Sequence, residues 1–131
     1  MVDVMAALKE VGELYKRGEP KSALHELQKI WDAVPEPKSS VKNSFLVIAY
    51  AVKISMTSHD LDQAWRWATL APRYNQGRQD IGEAEFIVGK VAFERGDLAT
   101  AKEQFIIANS KSRGRVFNGE DAKYRDLIKN F

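Results

Sequence analysis

Three short stretches of this chain carry one pattern: Arg17-Gly-Glu-Pro-Lys-Ser-Ala23, Ser58-His-Asp-Leu-Asp-Gln-Ala64 and Arg95-Gly-Asp-Leu-Ala-Thr-Ala101. Each reads as a tight turn, an acidic or proline helix start, and then an alanine. The alanines are spaced by 41 and 37 residues. Self-similarity at a period of roughly 20 to 50 residues marks stacked copies of one supersecondary unit, none of which can bury its apolar face alone. A fold for this chain must therefore place three equivalent turns in equivalent surroundings.

Apolar residues recur at three- and four-residue spacing on both sides of each turn, the period of a helix with one buried face. The first arms carry Val4, Leu8, Val11 and Tyr15; Phe45, Ile48, Val52 and Met56; and Phe86, Gly89, Ala92 and Phe93. The second arms carry Ala23, Leu27, Ile30 and Trp31; Leu61, Ala64, Trp65 and Ala68; and Leu98, Ala101, Phe105 and Ala108. Gly18 and Gly96 suit the left-handed residue that ends a helix, and Pro20 suits a first helical turn. Asp60 with Gln63 and Asp80 with Glu83 have the reciprocal capping spacing, while Asp97 can cap alone. Pro35-Glu-Pro-Lys-Ser-Ser40 and Pro72-Arg-Tyr-Asn-Gln-Gly77 break the helical pattern between pairs. A terminal helix is expected from Glu120 to Asn130, with Tyr124, Leu127 and Ile128 on one face, closing the open end of the stack.

These residues resemble the tetratricopeptide repeat, a helix-turn-helix unit of about 34 residues. Val88-Gly89, Gly96-Asp97, Ala101, Phe105 and Ala108 fall at the family's spacings, and Gly18, Ala23, Leu27, Ile30 and Pro35 match in the first unit. Departures are Val11 and Val52 at crossing positions that usually hold glycine, and His59 at the turn glycine. The resemblance implies an all-α, right-handed α-solenoid of three hairpins, about residues 4–37, 39–75 and 80–109, with a capping helix at 120–130.

It also implies that the first helices line a concave groove. By alignment, that groove would show Leu8, Gly12, Tyr15 and Lys16, then Ala49, Lys53, Met56 and Thr57, then Glu83, Phe86, Lys90, Phe93 and Glu94. Such a surface, apolar and aromatic with lysines, suits a peptide or helix with apolar anchors and acidic flanks. Tyr15, Phe86 and Phe93 could equally be core residues. The lysine and arginine clamp with which some relatives hold chaperone C-termini is absent: Leu8, Gly12, Tyr50, Glu83 and Ile87 stand in its place. Trp65 and Trp67 cannot both face one core, so one is a candidate interface anchor. A second candidate surface is the loop bearing Lys111, Arg113, Arg115 and Phe117, which Arg73 and Arg78 could extend into a nucleic-acid contact.

Composition narrows the chemistry. The 131 residues include no cysteine, which removes disulfides, thiolate catalysis and thiolate-held metals. A formal charge of +2 gives no global pull toward nucleic acid or membrane. His25 and His59 are far apart and lack a ligand spacing, so neither is expected to bind a metal. Neither a phosphate-binding loop nor a nucleophile elbow is present. Glu83, Glu85, Glu120 and Asp121 sit where helix starts favour negative charge. No catalytic residue and no cofactor are therefore expected, and no run is apolar enough to span a membrane, which makes the cytoplasm the expected compartment.

The expected function is a protein–protein interaction module holding one dedicated protein partner in its groove. Gly114-Arg-Val-Phe-Asn-Gly-Glu-Asp121 resembles a loop of compact bacterial repeat proteins, which implies an immunity protein that neutralises a toxin. A secretion chaperone or an assembly adaptor is the alternative within that class. A nucleic-acid-associated protein acting through the basic C-terminal loop is the alternative outside it.

Overall fold

A computed structural model of the protein describes residues 3–41, 43–75 and 81–129. The described residues form seven α-helices and no strand: α1 Val4–Lys16, α2 Pro20–Ala33, α3 Ser44–Thr57, α4 Leu61–Ala68, α5 Glu83–Glu94, α6 Leu98–Ser112 and α7 Ala122–Asp126. Short 3-10 turns occupy Lys38–Ser40, Ala71–Arg73 and Arg115–Phe117. Helices α1 through α6 pack in succession, α5 against α6 being the last such pair, while α1 also touches α3 and α3 touches α5.

The three recurring turns are equivalent bond for bond. Gly18, His59 and Gly96 have φ of 77°, 61° and 85°. Their amides donate to Tyr15, Met56 and Phe93, and the following amides of Glu19, Asp60 and Asp97 donate to Leu14, Ser55 and Ala92. These paired bonds satisfy carbonyls that a helix end otherwise leaves orphaned. Asp60 then caps α4 by accepting from the Gln63 amide, and Asp97 caps α6 by accepting from Thr100, both at 3.1 Å. Thr100 holds the Asp97 carboxyl below its ordinary range. The reciprocal bond expected from Gln63 to the Asp60 amide has no donor, because that amide already serves Ser55. In the first unit Pro20 opens α2 without a side-chain cap. The expected Asp80–Glu83 cap, the loop residues Gln76 and Gly77, and Arg78 lie outside the described residues.

Buried side chains form two clusters. The larger joins Leu8 and Val11 of α1, Leu27 and Trp31 of α2, Ile48 and Val52 of α3, Trp67 of α4 and Val91 of α5. The smaller joins Phe86 and Ala92 to Ala101, Phe105 and Ala108 of α6 and to Phe117 and Tyr124 beyond it. Close approach of α5 and α6 depends on Gly89, where a Cβ would lie 2.6 Å from the Phe105 ring. At Gly82, which precedes α5 with φ of 76°, a Cβ would lie 2.7 Å from the Ala108 carbonyl oxygen.

The terminal helix is shorter than expected. It ends at Asp126 and continues as a turn to Lys129; Asn130 lies outside the described residues. Tyr124 is buried, with Leu127 and Ile128 half-buried against the same cluster. Five residues suffice because the aromatic ring, not helix length, makes the contact.

Candidate partner-binding groove

Helices α3 and α5 lie side by side, and the terminal segment rises beside them. Between them runs an open hollow of about 620 Å³. Met56 and Val52 of α3 and Phe86 and Ile87 of α5 supply its apolar surface, Lys53, Glu83 and Lys90 its charge, and Val116, Glu120 and Tyr124 its far wall. The three equivalent turns put Gly12, Lys53 and Lys90 in corresponding places, four residues before the ends of α1, α3 and α5.

The two lysines have different surroundings. Lys90 lies 3.2 Å from the Glu120 carboxylate, and its ammonium sits 4.8 Å from the Phe86 ring centre. Lys53 is exposed, and among the described residues no carboxylate pairs with it. Of the two lysines that line the hollow, Lys53 is thus the one without a carboxylate partner among the described residues. Gly12 leaves the corresponding place on α1 bare, with no atom within 4 Å of where a Cβ would stand.

Several expected groove residues belong to the interior. Leu8 is 2% exposed and Phe86 5%. Phe86 meets the rings of Phe105, Phe117 and Tyr124 at 5.2 to 6.2 Å, so only part of it faces the hollow. Phe93 is half-buried under Tyr124, at 5.2 Å, and its ring carries Lys123 above it. Glu94 pairs with Lys123 at 2.8 Å and accepts from the Tyr124 hydroxyl at 2.9 Å. Burial, seconded by that bond, pushes the Tyr124 phenol well above its ordinary pKa, while Glu94 raises that of Lys123. Thus Phe93 and Glu94 anchor the terminal segment. Tyr15 and Lys16 line a separate hollow with Pro20 and Thr57, between the first two turns.

The tryptophans separate as expected, but neither stands free. Trp67 is core, edge-on to Trp31 at 5.9 Å. Trp65 is half-buried between the two clusters, and Arg95, itself paired with Asp62 at 3.1 Å, covers its ring. No signal in α4 reveals that cover, since it comes from 30 residues downstream in the third turn.

Arg113 and Arg115 line another hollow, of about 490 Å³, with Ile81, Glu83 and Lys111. Lys111 is held by Glu85 at 2.7 Å, so acidic residues of α5 share this surface. His25 and His59 are both exposed. Among the described residues no cluster of His, Asp or Glu could hold a metal, and no helix is long and apolar enough to cross a membrane. The Glu120 wall was not legible in the sequence, because only the folded terminal segment brings it to Lys90.

Comparison with known proteins adds no relative. The chain matches no family model, no curated protein and no solved structure.

Proposed function

We propose that this chain is a protein-binding module: a right-handed solenoid of three tetratricopeptide-like hairpins that holds one dedicated partner along its concave side. Support for the architecture comes from three turns with the same hydrogen bonds and from contacts between successive first helices. The observation that carries the function is Lys53, a cation with no carboxylate partner among the described residues, beside the apolar surface of Met56 and Ile87. A charge on a concave wall contributes little to packing, whereas beside apolar surface it selects an acidic segment with an apolar anchor.

Among dedicated partners we favour a toxin neutralised by an immunity protein, on the resemblance of the Gly114–Asp121 loop, ahead of a secretion client or an assembly subunit. The basic loop at Arg113 and Arg115 takes second place as a nucleic-acid contact, because Glu83 and Glu85 adjoin it.

The test is affinity capture from the native host with wild-type and Lys53→Glu protein in parallel, read by mass spectrometry. One protein enriched by the wild type and lost from Lys53→Glu supports the groove. A partner retained by Lys53→Glu but lost from an Arg113→Ala, Arg115→Ala double variant overturns it.

A further inference from the structure

Lys53 and Lys90 occupy corresponding places on neighbouring helices and line the same hollow, yet among the described residues only Lys90 of the two has a carboxylate partner. That carboxylate comes from Glu120, in the loop just before α7. The loop does not depend on the pair for its docking. Phe117 and Tyr124 seat it against Phe86 and Phe105. Tyr124 and Lys123 bind Glu94, and Arg125 donates to the Gly114 carbonyl at 2.9 Å. Lys90 and Glu120 keep 23% and 33% of their side chains exposed, so a partner can reach the contact. Partly exposed ion pairs of this kind are weak and exchange readily for another carboxylate.

We infer that Glu120 is an internal stand-in for a partner carboxylate. The partner segment this groove fits carries two acidic residues flanking an apolar anchor: one acid on Lys53, the anchor against Met56, Phe86 and Ile87, and the second acid on Lys90 in place of Glu120. The inference rests on the groove reading above and adds the partner's second acid and its competitor.

The experiment selects a displayed library of random 16-residue peptides on the full-length chain and on Glu120→Gln, which keeps the side-chain volume and removes the charge. Peptides selected on the wild type should share an apolar anchor with an acidic flank and lose binding on Lys53→Glu. On Glu120→Gln, peptides with a second acid should bind roughly five- to tenfold more tightly, and adding Lys90→Gln should abolish that gain. Glu120→Ala must give the same gain, which separates loss of the competing charge from any new contact of the amide. Equal or weaker binding to both Glu120 variants, with Lys53 dependence intact, overturns the stand-in and leaves the groove standing. Failure to recover any Lys53-dependent peptide overturns the groove and the stand-in together.

Discussion

His59 holds the left-handed place that Gly18 and Gly96 fill in the other two turns. A side chain there costs on the order of 1 kcal/mol, and His59 is exposed, so nothing packs in return. His59→Gly should therefore raise stability by about 1 kcal/mol, read as a higher urea midpoint with an unchanged slope. Gly89→Ala should act in the opposite direction. Its methyl would meet the Phe105 ring, which is fully buried and has little room to give, so a loss of about 1 to 3 kcal/mol is expected. Lys53→Glu should leave the melting temperature within about a degree or two, because Lys53 is exposed and has no carboxylate partner among the described residues. The glycines were legible in the sequence because a missing side chain at a turn or crossing has few explanations. The pairing of Lys90 was not, because Glu120 lies 30 residues away in a loop.

At the level of elements, the hairpins were readable from periodicity and caps, since both arise within a few residues of the chain. The terminal segment was readable only as an amphipathic cap. Its work is done by Phe117 and Tyr124, whose rings complete the cluster of Phe86 and Phe105, and tertiary contacts of that kind leave no local periodic trace. Trp65 shows the same limit, because Arg95 covers it from another hairpin. Tyr124 gives this element a pH signature. Its phenol ionises at higher pH in the folded chain than in the unfolded one. The unfolded chain thus binds fewer protons above pH 10, so the stability Tyr124 contributes is intact below about pH 10 and declines as pH rises beyond it. Tyr124→Phe should flatten that alkaline decline in urea midpoints measured from pH 8 to 12. An identical slope in the variant would place the decline on other groups.

For the whole molecule, the larger core runs from α1 to α5 and the smaller joins α5 and α6 to the terminal segment, with Trp65 packed against both. The hairpins should therefore unfold together, and helix loss and tryptophan fluorescence should give coincident urea transitions. The proposed groove lies between α3 and α5, the first helices of the second and third pairs. The most direct measurement is hydrogen exchange of the chain, alone and bound to the partner recovered from its host. The predicted result is added protection concentrated in residues 46–57 and 83–94, with α2 and the middle of α6 unchanged. Protection confined to α2, α4 and α6, or to residues 111–117, would contradict the groove as the binding surface.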